Sequence, residues 1–202
     1  LVDGEIRAFG IVDEVDSLIR LTEWPTLTSG YGKGLVNETL PNVHGVFQLR
    51  HKQFVDSCDL VLSFGPHYSN TNTFIFATIP KSESSILFHS TSIQVDKEVF
   101  RDLPVKHFVQ SLISRLGRSK IPPHKPDASQ LAAKELPAVA PSDPVSQVAG
   151  FWQRISPFFQ PGDIVLAETG TPGYGANDFI LPPYTQLFKP VTWLSIGYML
   201  PA

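Results

Sequence analysis

Two threonines stand among three glycines, just after an acid, in the run Gly162-Asp163-Ile164-Val165-Leu166-Ala167-Glu168-Thr169-Gly170-Thr171-Pro172-Gly173-Tyr174-Gly175. The apolar residues Ile164 to Ala167 have the composition of a buried strand, which stops at Glu168 and opens into a polar, tightly turning loop. In open α/β sheets ligands bind at such loops, because glycine lets a ligand approach the backbone and the helix that follows offers free N–H groups. The spacing is neither G-x-G-x-x-G nor G-x-x-x-x-G-K-[ST], so it is not one of the phosphate-binding patterns. A plain connection between a strand and a helix is the competing reading.

Other residues with chemical potential are weaker candidates. In Gly30-Tyr31-Gly32-Lys33-Gly34 the glycines could cradle an anion and Lys33 could neutralise it, although a surface turn has the same composition. His89 has no second metal-type ligand at a useful spacing and reads as a satisfied residue at a strand end. Cys58, in Val55-Asp56-Ser57-Cys58-Asp59, reads as a small buried hydrophobe rather than a nucleophile.

The elements that must position these residues alternate between strand and helix. Leu1 to Asp3 read as the end of a strand, followed by a helix with Ile11, Val12, Val15, Leu18 and Ile19 on one face and Asp13, Glu14, Asp16 and Arg20 opposite. Trp24-Pro25 ends that helix, and residues 26–28 begin a short strand. A short helix is expected over 53–57, strands over 60–64 and 85–88, and an amphipathic helix through Val105, Phe108, Val109, Leu112, Ile113 and Leu116, capped by Gly117. Six prolines (Pro122, Pro123, Pro126, Pro137, Pro141 and Pro144) then make residues 118–146 a linker. Beyond it Val145, Val148, Trp152, Ile155 and Phe159 predict a helix with an irregular last turn at Pro157, and Val191 to Trp193 a second short strand. The pattern predicts an α/β fold with a Rossmann-like parallel sheet in residues 1–117, the linker, and the start of a second α/β domain in residues 147–202.

A length of 202 residues with 42% hydrophobic content is enough for one ordinary core or two small ones. A net charge of −3, with Lys and Arg scattered, offers no basic face, and no nucleic-acid partner is expected. The single cysteine rules out an intrachain disulfide framework and suits a reducing compartment, which points to the cytoplasm. No apolar run approaches the ~18 residues that span a bilayer, so no membrane partner is expected either. Both ends of the chain fall within elements that need neighbours, as in a piece of a longer protein.

Gly162 to Gly175, followed by Trp193-Leu194-Ser195-Ile196-Gly197-Tyr198, resembles the pattern G-D-x-V-x-A-E-T-G-T-x-x-F-G … W-G-S-I-G-F of the thiamine-diphosphate-dependent pyruvate decarboxylase family. The segment Gly32-Lys33-Gly34-Leu35-Val36-Asn37-Glu38-Thr39-Leu40-Pro41 resembles M-G-K-G-x-x-D-E-x-x-P of the family's central domain, Leu60 to Gly65 its A-D-L-V-L-S-x-G, and Phe88-His89-Ser90 its F-H-S. Departures exist: Asn70 stands at a family aspartate, the segment from Phe47 to Asp59 is shorter, Leu194 replaces a glycine, and Glu5 falls where some yeast members carry a regulatory cysteine.

The resemblance implies non-oxidative decarboxylation of a 2-oxo acid such as pyruvate, with thiamine diphosphate and Mg2+ as cofactors, in a homodimer or homotetramer. It implies that Thr169, Thr171, Leu194, Ser195 and Ile196 hold the aminopyrimidine half of the cofactor, Leu194 through its carbonyl and Ile196 as an apolar wedge that bends it. No catalytic or metal-ligating residue of the family falls within residues 1–202, so this stretch alone should be inactive. Rival readings are a related aromatic 2-oxo acid decarboxylase and a non-catalytic assembly module on the same fold. A dinucleotide-binding domain is disfavoured because no G-x-G-x-x-G follows a strand.

Overall fold

Val2, an apolar residue next to the buried Asp3, lies between two strands and joins the first half of the chain into one sheet. The computed structural model describes residues 1–119, 121, 131, 142, 151–190 and 194–200, without the side chain of residue 153. Val2 bridges in parallel to Thr28 on one side and to Phe64 on the other. Its N–H donates to the Leu27 carbonyl at 2.9 Å, and its own carbonyl accepts from Ser29 N–H at 2.8 Å. Around it the chain forms β1 (Thr26–Thr28), β2 (Val43–Val46), β3 (Val61–Phe64), β4 (Ser85–Phe88), β5 (Ser92–Val95) and β6 (Glu98–Arg101). The spatial order is β2, β1, Val2, β3, β4, β5, β6, with parallel pairing from β2 to β4 and antiparallel pairing thereafter.

The chain therefore winds outward one way from Val2 and then crosses to the other side, as in doubly wound parallel sheets. Four helices accompany it: α1 (Glu5–Ala8), α2 (Val12–Thr22), α3 (Lys52–Ser57) and α4 (Val105–Leu116). The apolar spacing of α2 buries Val15, Leu18 and Ile19, and that of α4 buries Val105 and Val109, in one cluster with Ile6, Ile11, Val43, Phe88 and Ile93. Each such large aliphatic side chain contributes roughly 1.5–3 kcal/mol on burial. Phe64 and Phe88, paired on neighbouring strands, stack with ring centroids 4.4 Å apart.

Several local expectations are corrected. Leu1 to Asp3 contribute only the Val2 bridges, not an extended strand. Gly117 ends α4 in the right-handed region (φ −63°) and so is not a left-handed cap; its N–H closes the helix on the Ile113 carbonyl instead. β2 and the β5–β6 hairpin add to the strands expected from the sequence. The linker predicted over 118–146 and the strand over 191–193 lie for the most part outside the described residues. Leu131, described within that stretch, is buried against Leu27, Phe47, Phe54 and Val61.

The carboxy-terminal residues build a smaller α/β layer from α5 (Phe151–Ile155), β7 (Ile164–Leu166), α6 (Thr171–Gly175) and β8 (Gln186–Phe188). Pro157 lies in a 3-10 turn after α5, the irregularity that proline predicts. Strands β7 and β8 pair in parallel, and Trp152, Ala167, Ala176, Phe179, Leu181 and Leu187 form the core beneath them. β7 is not the buried strand its composition suggests: Ile164 is 67% and Leu166 45% exposed, and Val165 alone turns inward.

Candidate functional site

The loop that leaves β7 is held by its own acid. One Glu168 carboxylate oxygen accepts the Thr169 N–H at 2.7 Å, and the other accepts the N–H groups of Gly197 at 3.0 Å and Met199 at 3.1 Å. These bonds, with the Thr169 N–H the largest contributor, hold the carboxyl below its ordinary pKa. The Thr169 hydroxyl donates to the Ser195 carbonyl at 3.2 Å. Two segments some thirty residues apart in sequence are thereby laid side by side.

Glycine makes this turn possible at two places. Gly170 adopts φ +102°, closed to side-chain-bearing residues, just before α6 begins. Gly173 passes so close to the Glu168 carbonyl that a Cβ there would lie 2.9 Å from it, and its N–H donates to that oxygen at 2.8 Å. On the inner side Gly175 lies under the Trp152 ring, which a Cβ would meet at 2.0 Å, so α6 is seated on α5.

Of the residues singled out from the sequence, Thr169 and Ser195 are in contact and Leu194 and Ile196 flank Ser195 on the same segment. Thr171 is exposed as the first residue of α6, two residues from Thr169. Ile196 is 86% exposed, an apolar side chain held in the open beside polar loops. Leu194 has φ +51°, the left-handed region that glycine enters freely and other residues at a cost of roughly 1–2 kcal/mol. Glu168, the group that joins the two segments, was missed as a site residue. The signal was present in the sequence, a lone acid at the end of an apolar run, but its partners are main-chain groups that no motif shows.

The Gly30–Gly34 loop is not an anion site. Lys33 is 1% exposed, donates to Glu38 Oε2 at 2.8 Å and donates to the Phe179 carbonyl at 2.7 Å, so its charge is spent inside the protein. Gly34, at φ +78°, presses against Leu187, with a Cβ position only 3.0 Å from that residue, and the Arg7 guanidinium lies 4.2 Å over the Phe188 ring. The loop thus fastens the large sheet to the β7–β8 layer.

The crevice at the switch point around Val2, where doubly wound sheets take dinucleotides, is filled by the chain itself. A Cβ on Gly4 would lie 2.1 Å from the Tyr31 ring, and Gly65, at φ +60°, lies against the Ile6 N–H. Asp3 closes the space with bonds from Gly4 N–H at 2.6 Å, His67 N–H at 2.8 Å, the Ser29 hydroxyl and the Asn72 amide at 2.9 and 3.0 Å. Burial nonetheless lifts its carboxyl above the ordinary value. Burial also raises the Cys58 thiol, whose Sγ contacts the Phe54 carbonyl at 3.4 Å, so thiolate chemistry is disfavoured there.

Comparison with known proteins accords with this geometry. The model of the thiamine pyrophosphate enzyme central domain matches residues 1–116. A pyruvate decarboxylase of Aspergillus parasiticus is 61% identical over all 202 residues, which make up 35% of that protein. Pyruvate decarboxylase isozyme 1 of Saccharomyces cerevisiae is 32% identical over 98% of the chain and 36% of its own length. A thiamine metabolism regulatory protein of the same yeast is 29% identical over the whole chain and 34% of its own length. The chain thus spans about a third of the length of these relatives. The family-model match over more than half of its residues shows that the chain belongs to the thiamine pyrophosphate enzyme family.

Proposed function

We propose that the polypeptide carrying this chain is a thiamine-diphosphate- and Mg2+-dependent, non-oxidative decarboxylase of 2-oxo acids. It converts pyruvate to acetaldehyde and CO2 and works in the cytoplasm as a homodimer or homotetramer. In this reading residues 1–117 are the central domain, 118–146 the linker and 147–202 the first part of the cofactor domain. The observation that supports this reading is the direct tie between the Glu168–Thr169 turn and the Ser195–Met199 segment, the two segments on which the proposed cofactor residues lie.

The donor set suits the aminopyrimidine half of the cofactor. The Thr169 and Thr171 hydroxyls and the backbone of Ser195 would hold the ring, the Leu194 carbonyl would accept from its amino group, and the exposed Ile196 side chain would supply an apolar wedge that fixes shape without competing for a proton. When bound, the cofactor supplies an electron sink for the pair left behind as the carboxylate departs as CO2. Among the described residues no group of three His, Cys, Asp or Glu could hold a metal ion. In this reading the Mg2+ ligands lie outside residues 1–202.

Calorimetry of the full polypeptide with thiamine diphosphate and Mg2+, followed by an assay with pyruvate, tests this. Binding and equal release of acetaldehyde and CO2 are expected; absence of both favours a second reading, a non-catalytic regulatory module. That reading draws support from the left-handed Leu194 and from the likeness to a regulatory protein. Leu194→Gly should sharpen the distinction. Relief of the left-handed strain offsets the added chain entropy, leaving the melting temperature within about 3 °C. In the enzyme reading, cofactor affinity should rise several-fold as the side chain is cleared; unchanged affinity would mean that the Leu194 side chain does not obstruct the cofactor.

A further inference from the structure

Glu168 spends both carboxylate oxygens on main-chain N–H groups from two segments: Thr169 on its own turn, and Gly197 and Met199 on the other. We propose that Glu168 is the positioning residue of the cofactor site, a latch that sets the separation between the Thr169–Thr171 turn and the Leu194–Ile196 segment. The inference rests on the cofactor reading of these two loops and adds to it the group that holds them in register.

The latch has to be a carboxylate. Three donors converge on it, and only a group that accepts on both oxygens can satisfy all three. A glutamine has one acceptor and one NH2, so in either orientation its NH2 faces an N–H, of Thr169 in one case and of Gly197 and Met199 in the other. Among the described residues a second direct tie, from the Thr169 hydroxyl to the Ser195 carbonyl at 3.2 Å, is a single neutral bond and is weaker than the carboxylate's. The segment it retains needs retaining: Leu194, Ser195, Ile196, Gly197 and Tyr198 are all exposed, so packing does little to fix them. Glu168 touches the loops and not the reacting atoms; its effect on the cofactor passes through Thr169 and Ile196.

The test compares wild type, Glu168→Gln and Thr169→Val in the full polypeptide, by amide hydrogen exchange and by calorimetry with thiamine diphosphate and Mg2+. In Glu168→Gln the Gly197 and Met199 amides should lose at least about 10-fold in protection while those of β7 keep theirs, and cofactor affinity should fall about 30-fold. At saturating cofactor the KM for pyruvate should stay within about twofold, because the residue does not touch substrate. Thr169→Val, which removes only the single neutral tie to the Ser195 carbonyl, should cost less than Glu168→Gln in protection at these amides. Unchanged protection at Gly197 and Met199, or lost protection with unchanged affinity, overturns the latch. A wild type that fails to bind the cofactor overturns the decarboxylase reading instead, and with it any cofactor role for Glu168. If the variant does not fold, wild type alone answers. Because the hydrogen bonds depress the Glu168 pKa, protection at these two amides should persist below the ordinary carboxylate range and be lost as pH falls through the depressed value. Loss of protection in step with the rest of the molecule, with no earlier release at Gly197 and Met199, refutes it.

Discussion

Lys33→Met should destabilise the polypeptide by about 3–5 kcal/mol, a fall in melting temperature of roughly 10 °C for a unit of this size. The cause is what the lysine leaves behind. Glu38 is 4% exposed, with one oxygen on the Gly34 N–H at 3.1 Å and the other on the Lys33 ammonium. Without the ammonium the buried carboxylate loses that charge-assisted bond, and the Phe179 carbonyl loses a charged donor from across the seam. The double variant Lys33→Met/Glu38→Leu should recover most of the loss, since a buried pair replaced by apolar groups is often close to neutral. Thermal melts of the two variants check this. A single-variant loss below about 1 kcal/mol would show that the pair is hydrated and does not fasten the two layers.

The second large effect is a pH dependence located at Lys189. Its amine donates to the Gly173 carbonyl at 3.2 Å and to the Asn177 side-chain oxygen, and among the described residues no carboxylate forms an ion pair with it. Enclosure, and after it the Lys33 charge, lower its pKa to about 7 against weaker opposition from Glu38 and Asp178. The folded pKa lies below the unfolded one near 10.5, so above pH 7 the unfolded chain binds the extra proton and stability rises with pH until about 10.5. Below pH 7 both states carry the proton and the penalty for enclosing the charge is present in full. In Lys189→Met this contribution is absent. The stability difference between wild type and variant should therefore move in favour of wild type by about 2–3 kcal/mol between pH 7 and pH 9, on top of a pH-independent offset from the two lost hydrogen bonds. Denaturant titrations at the two pH values measure it. A difference that does not change with pH would mean that the amine keeps an ordinary lysine pKa. Because Lys33 contributes to the lowering, Lys33→Met should flatten the same dependence.

Legibility in the sequence followed how local each cause is. The spacing of Val15, Leu18 and Ile19, and of Val105 and Val109, is a local property, and α2 and α4 stand where it predicts. β1, β3 and β4 lie within or against the expected runs, because β-branched and aromatic residues bounded by turn formers announce themselves. β2 was not legible: Val43-His44-Gly45-Val46 carries a histidine and a glycine at φ +80° and is a strand only because β1 lies beside it. β8 is three residues long and likewise depends on β7. Composition misled in the Gly30–Gly34 loop, since glycines around a lysine look the same whether the charge faces an anion or a carbonyl. The Phe179 oxygen that receives it is 146 residues away along the chain.

By itself, the sequence determined the alternation of helix and strand, the family likeness of the Ala167–Thr171 and Gly32–Pro41 segments, and which residue types could face a cofactor, because each of these is written in neighbouring residues. The tertiary structure alone decided that Lys33 is a fastener, that the switch-point crevice is closed by Tyr31 and the Asp3 network, that Leu194 sits in a left-handed conformation, and that Glu168 joins two distant loops. Those outcomes depend on main-chain groups brought together from far along the chain, and a backbone N–H or carbonyl has no letter in the sequence.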